Sequence, residues 1–296
     1  MNRKYGWIAA LVAPWLLAAS LPAGALTTYQ WDVTGCAGSN QVSCSDTSSS
    51  GVGDPGVTFS AISDTGGTTL GTKLLAEAYV VKYGTNHLGV TSEAGTNSAA
   101  NGTSPYGTGE NAPGTEETKT SPQHAMDNNG NSEFMLLSFG SAITLSQVTL
   151  GWSQTDSDIT VLAYQPTGGL PAAPALTGGT KAYSGGNGLT ANGWSLIGNY
   201  FNVCGSGINC GTASTPSASA TINPTSVSSS YWLIGAFNSL GNTALNGYSG
   251  NDYVKLLSVA GSATPVKPGS VPEPSSLLLI GIALLGLTAL RRRRVN

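Results

Sequence analysis

Arginine is missing from nearly the whole of this chain: it occurs at Arg3 and at Arg291 to Arg294, and nowhere between. From Leu26 to Pro274 the cations are Lys73, Lys82, Lys119, Lys181, Lys255 and Lys267. Those six face all 15 acidic residues of the protein, so this span carries −9 rather than the −3 of the full sequence. An acidic, arginine-free body cannot neutralise a run of phosphates, which excludes nucleic-acid binding. Histidine is almost as scarce, limited to His87 and His124. A nucleophile–histidine–acid triad would have to use one of them. No GxSxG elbow, HExxH helix or Walker loop is present. Carboxylate pairs for glycoside hydrolysis can be drawn from Asp127, Glu133, Asp156 and Asp158, but any acidic protein offers such pairs. The expectation is a protein that is not an enzyme.

A sustained helical stripe is also lacking outside the two ends. Gly, Ser, Thr and Asn dominate the body, and these residues favour turns and strands over helix interiors. Short apolar segments bounded by turn residues recur instead: TTYQWDVT, GVTFSAIS, LLAEAYVVKYG, EFMLLSFG, ITLSQVTLGW, DITVLAYQ, WSLIGNYFNV, YWLIGAFN and DYVKLLSV. In ITLSQVTLGW, Ile143 and Leu145 alternate with Thr144 and Ser146, a period of two that buries one face and leaves the other wet. The pattern predicts an all-β, two-sheet β-sandwich of jelly-roll-like type over residues 26–262. Residues 91–121 hold almost no large apolar side chain and 166–193 are rich in Gly and Pro. Both are expected to be mobile loops. A Pro/Gly/Ser linker is expected over 263–270.

Both ends look like processing segments. Arg3 and Lys4 precede an apolar stretch that closes on Ala23-Gly24-Ala25, the layout of a secretory signal peptide over residues 1–25, cleaved after Ala25. A plain N-terminal membrane helix is the alternative, against which stand the short apolar run and Pro14. Export implies an oxidising compartment, where the 4 cysteines read as disulfides. Each neighbouring pair brackets a Gly/Ser/Asn-rich loop, so Cys36–Cys44 and Cys204–Cys210 are the first choice among three connectivities. Zinc held by four thiolates is disfavoured because no CxxC spacing occurs.

At the other end Val271-Pro272-Glu273-Pro274 precedes an apolar run to Leu290 and then Arg291, Arg292, Arg293 and Arg294. The run over 275–290 is short for a bilayer span of ~20 residues, but snorkelling arginines let such a helix cross a compliant membrane. The arginines should stay cytoplasmic, with the body outside. A simple membrane anchor would look similar. The whole segment 271–296 resembles the PEP-CTERM sorting signal of exosortase-bearing Gram-negative bacteria. That resemblance implies recognition of Pro-Glu-Pro by a membrane-embedded exosortase, removal of the helix, and delivery to the cell surface or the exopolysaccharide matrix.

One stretch of the body reads like a motif. SPQHAMDNNGNSEFMLLSF gathers His124, Asp127, Asn128, Asn129, Asn131 and Glu133 before a strand. Oxygen-rich loops of this kind suit calcium, with Asp156, Asp158 and Asp252 able to join from other loops. Asp127, Asn129, Glu133, Asp156 and Asp158 are therefore candidate calcium ligands. Against this, the spacing is not that of an EF-hand, and Asp and Asn populate turns by bonding their own backbone. Trp152, beside the acidic turn, and His124 are candidate ligand contacts for a sugar, although Trp and Tyr in a β protein are mostly core residues. His124-Ala125-Met126-Asp127-Asn128, Gly151-Trp152, Asp156-Ser157-Asp158 and Val161-Leu162-Ala163-Tyr164 together resemble a subgroup of exosortase-dependent surface proteins. This implies surface delivery and supplies no catalytic residues. The expected role is structural or adhesive, in biofilm or exopolysaccharide, with a calcium-supported carbohydrate-binding module as the alternative and a secreted hydrolase of matrix sugars third.

Overall fold

Every segment singled out for its alternation becomes a strand in the computed structural model, which describes residues 27–36, 41, 43–46, 53–64, 75–83, 87–91, 125–128, 132–166, 188–237 and 252–263. The strands are β1 (Thr27–Asp32), β2 (Ser43–Asp46), β3 (Val57–Asp64), β4 (Leu75–Tyr83), β5 (His87–Thr91), β6 (Met126–Asp127), β7 (Glu133–Gln154), β8 (Ile159–Tyr164), β9 (Trp194–Tyr200), β10 (Ala218–Thr221), β11 (Ser229–Ala236) and β12 (Tyr253–Ala263). Among the described residues a 3-10 turn, Thr190–Asn192, precedes β9 and ends on Gly193 at φ 89°. The protein is all-β. Among the described residues no helix is long and apolar enough to cross a membrane. The expected leader, the sorting segment 271–296 and most of the two long loops lie outside the described residues.

The strands do not divide into two separate sheets. They form one antiparallel, 12-stranded sheet in the order β1-β12-β5-β4-β3-β7-β11-β8-β9, and a further pairing of β12 with β7 closes a barrel-like circuit. The cause is β7, whose 22 residues far exceed the usual ~5–6 of a strand. Its first half lies between β3 and β11, with Leu137 opposite Phe59 and Trp232. Its second half lies between β10 and β12, with Val148 opposite Ala220 and Val259. EFMLLSFG and ITLSQVTLGW, read from sequence as two strands, are thus one. No proline or Asn-Gly pair separates them, and Gly140 permits the crossing: its N–H donates to Pro55 O at 3.1 Å, and a Cβ there would sit 2.6 Å from that oxygen.

Alternation along β7 feeds two apolar clusters. Met135, Leu137, Ile143, Leu145, Val148 and Leu150 enter the main core with Trp31, Phe59, Trp232 and Val259. Phe134 faces the other way, joining Ile62, Leu162, Leu189, Trp194 and Leu233. Leu189 closes this second cluster from just ahead of the 3-10 turn, within the span expected to be a loop.

The register gives the molecule two distinct ends. β12 is flanked by β1 and β7, and at one end Ala263 stands opposite both Thr27 and Ile143. At the other, Tyr253 stands opposite both Gln154 and Asp127. The 11-residue β12 separates these ends by roughly 33 Å at ~3.3 Å per residue. The start of β1 and the end of β12 therefore lie together, and the acidic turn lies far from them.

Candidate functional site

The turn from β7 into β8 carries the acidic pair expected from sequence. Thr155 adopts φ 69°, Gln154 O accepts from Asp156 N at 2.8 Å, and Asp156 Oδ1 accepts from Ser157 N at 2.7 Å. Asp252 arrives from the residue before β12. Carboxylate oxygens of Asp156, Asp158 and Asp252 then lie within 4.8 Å of one another. Asp158 and Asp252 are buried, and Asp156 is partly exposed.

Backbone N–H groups and the Asn128 side-chain amide hold this group. Asp252 Oδ1 accepts from Asp158 N at 3.1 Å, and its Oδ2 accepts from Asn128 Nδ2 at 2.8 Å. Asp252 N donates to Asn128 Oδ1 at 2.8 Å, while Asn128 Nδ2 also donates to Phe237 O at 2.9 Å. Asn202 N donates to Asp158 Oδ1 at 2.6 Å. Burial pushes the Asp158 carboxyl above its usual range; the Asn202 N–H opposes this, and the neighbouring Asp156 adds to the rise through its charge and a hydrogen bond. Three converging carboxylates can relieve their repulsion by sharing a proton or by sharing a hard cation, and all-oxygen ligands of this type match calcium.

The expected calcium ligands separate into two places. Asp156 and Asp158 join the group just described, with Asp252. Asp127 and Glu133 sit together on β6 and the start of β7, where Asp127 N donates to Glu133 Oε2 at 3.3 Å, and both are buried. Asn129 and His124 lie outside the described residues.

Trp152 has neighbours that sequence reasoning missed. Lys255, opposite it in the β7–β12 ladder, places Nζ 4.5 Å from the centre of the indole ring. Lys255 is only 3% exposed, and desolvation pulls its ammonium from 10.5 down to about 8. The His87 imidazole packs against Gly151; burial, then the charge of Lys255, lowers its pKa. Gly211, at φ 81°, approaches the edge of the indole so closely that a Cβ would stand 2.5 Å from Cδ1. In the sequence Lys255 looks like a solvent-facing residue of an alternating strand. What covers it is the Trp152 ring across the β7–β12 ladder, a pairing of distant segments for which the sequence carries no signal.

Both expected disulfides form, Cys36–Cys44 and Cys204–Cys210. The second loop is fastened to the acidic turn: Ser153 Oγ accepts from Cys210 N and Ser157 Oγ accepts from Cys204 N, each at 2.9 Å. Val203 N donates to Ser157 O at 3.3 Å. Its flank and tip expose Phe201 and Ile208.

The sequence model of the PEP-CTERM protein-sorting motif matches residues 270–294. The chain thus carries that sorting signal at its C-terminal end, which marks an exosortase-sorted, exported surface protein that is transiently anchored in the membrane. No curated protein matches the sequence. Among solved structures, the C-terminal domain of a chitobiase from Bacteroides fragilis is similar over 50% of this chain and 67% of its own, at 8% identity and a TM-score of 0.22. That likeness is too slight to carry fold or function.

Proposed function

We propose that the protein is a non-enzymatic structural or adhesive component of the exopolysaccharide matrix or biofilm, delivered there after exosortase processing. The sorting motif at 270–294 is the observation that carries the reading. The acidic body and its two short disulfide loops suit long residence in a hydrated, oxidising polymer. Intact mass and C-terminal peptide mapping of the protein from each cell fraction of its host test it. A species running from Leu26 to near Pro274, enriched in the matrix, is expected. A species that keeps Arg291 to Arg294 in the inner membrane refutes it.

The convergence of Asp156, Asp158 and Asp252 one turn away from Trp152 favours a second reading, calcium-supported binding of a carbohydrate. The cation would fix the loop ends, and the indole would offer a face to a sugar ring. Glycan-array binding that a chelator abolishes supports this; a blank array in calcium counts against it.

A further inference from the structure

Charge is absent from one long run of this chain. Between Lys181 and Asp252 no Asp, Glu, Lys, Arg or His occurs, although the body as a whole carries −9. That run supplies β9, β10, β11 and the Cys204–Cys210 loop. It also supplies the large apolar side chains left exposed among the described residues: Leu196 at 47%, Phe201 at 48% and Ile208 at 49%. Leu196 lies on β9, and the other two lie in the loop that leaves it. β9 is a terminal strand of the sheet, and among the described residues its ladder partner is β8 alone. Edge strands are ordinarily kept from pairing with other chains by charge, proline or shortness. β1 ends in Asp32, and β2 and β10 have 4 residues each. β9 has 7, reads WSLIGNY, and contains neither a charge nor a proline. A bulge at Ile197, where the register steps from Gly198 opposite Val161 to Leu196 opposite Leu162, bends this edge but puts no charge on it.

We infer that β9 is a self-association edge, to which a second copy of this chain adds its own β9, antiparallel about a two-fold axis. Charge selects that occupant. Two bodies at −9 repel where acidic faces meet. At this end of the sheet the three successive strands β11, β8 and β9 carry no charged residue, so two copies can approach there without that cost. The antiparallel direction follows from the acidic turn, which lies past Tyr200, where Asn202 N donates to Asp158. Antiparallel pairing sends the two acidic turns to opposite ends of the joint, whereas parallel pairing would stack them. A strand that pairs with its own copy is self-complementary and closes as a dimer rather than a fibre. Leu196 stands one place from the midpoint of Trp194–Tyr200, so the two copies of this exposed side chain meet near the axis. The inference does not depend on where the host delivers the chain.

Sedimentation of the exported chain isolated from its host, over about 1 to 100 µM, tests this. Wild type is compared with Leu196→Lys, Leu196→Glu and Thr221→Lys, the last placing the same charge at an exposed residue of β10 in the same uncharged run. Urea unfolding and the intact disulfide mass report that each variant is folded. Wild type is expected to form a reversible dimer. Like charges meeting across the axis should weaken it at least about tenfold in each Leu196 variant, while Thr221→Lys stays within about twofold of wild type. An equimolar mixture of the Leu196→Lys and Leu196→Glu chains should associate at least about tenfold more tightly than either alone. That rescue belongs to pairing between copies, since neither misfolding nor contact through another surface produces it. A wild type that stays monomeric throughout overturns the inference, as does a dimer indifferent to both Leu196 variants or a mixture no tighter than its components. A monomeric wild type that binds the host's polysaccharide through Leu196 also overturns it, and gives the edge to a sugar.

Discussion

Lys255 offers a sharp test of the energetics at the Trp152 end of the fold. Its ammonium is held at about 8 against 10.5 for an open lysine because it is desolvated. At ~1.4 kcal/mol for each pH unit, that depression corresponds to about 3 kcal/mol. Above pH 10.5 the amine is neutral in both folded and unfolded chains, and no penalty exists. As pH falls from there the unfolded chain takes up the proton first, so stability is lost progressively until the folded amine protonates near pH 8. Below that the deficit is complete. Lys255→Met removes the titration and keeps most of the volume, at the cost of a contact with the Trp152 ring worth roughly 1 kcal/mol. The variant should therefore be more stable than wild type by about 2 kcal/mol near neutral pH, and the gap should close towards pH 10.5, where the folded amine is neutral and no cation–π contact is lost. Urea unfolding of the mature body at a series of pH values, followed by tryptophan fluorescence, measures this. Tyrosine ionisation affects both chains alike, so the difference between them is the readout. Parallel profiles across pH 8 to 10.5 would show that the ammonium is not desolvated as the burial implies.

Three further outcomes follow from the same contacts. Gly140→Ala places a Cβ 2.6 Å from Pro55 O, a backbone clash that should cost ~1–3 kcal/mol in chemical denaturation; an unchanged midpoint would refute the crossing geometry. Replacing Cys204 and Cys210 with Ser opens a loop of sequence separation 6 and should cost about 2 kcal/mol by chain entropy, with faster hydrogen exchange at the Cys204 and Cys210 amides bound to Ser157 and Ser153. Asp156→Asn removes the charge that helps raise the Asp158 carboxyl. Without divalent ions it should stabilise the fold by up to about 1 kcal/mol near neutral pH, yet diminish any gain in unfolding temperature from millimolar calcium. Stabilisation by calcium that survives this change would place the cation elsewhere.

Much of the fold was legible because alternation is a local signal. Phe59, Leu137, Val161 and Val254 each sit in a short segment whose neighbours declare an inward and an outward face. The disulfides were equally local, each closing its own loop. What escaped notice depends on pairing between distant segments. β2, β5 and β10 read SCSD, HLGVT and ASAT, too short and too polar to stand out, and they become strands because β3, β4 and β7 offer them edges. The fusion of two expected strands into β7 followed from an absence, since no turn residue after Gly140 forced the chain to break. At the acidic turn Asp156 and Asp158 were visible as a pair, but the bond from Asp158 N to Asp252 spans 94 positions. That separation could be suggested from residue types and not fixed by them.

The polar joint at the Tyr253 end also explains how β12 keeps its place. Because side chains alternate with period two, a slip of one residue against β7 would carry Lys255 into the main core and turn Val254 and Leu256 out of it. Shifts in the β7–β12 register between Lys255 and Leu256, before Ser258 and between Ala260 and Gly261 help to pin the pairing, because a slipped strand would misplace each of them. Asp252 opposes the slip, because its carboxylate meets Asp158 N and Asn128 Nδ2, and its own N–H meets Asn128 Oδ1, in the observed register alone. Buried polar groups satisfied on every side specify a unique arrangement even where they add little net stability. Asn128→Ala should therefore do more than lower the midpoint. It should broaden the transition or populate a second register of β12, visible as doubled amide resonances for Val254 to Leu257, whereas a deletion of equal energetic cost in the core, such as Val148→Ala, should leave one set of signals.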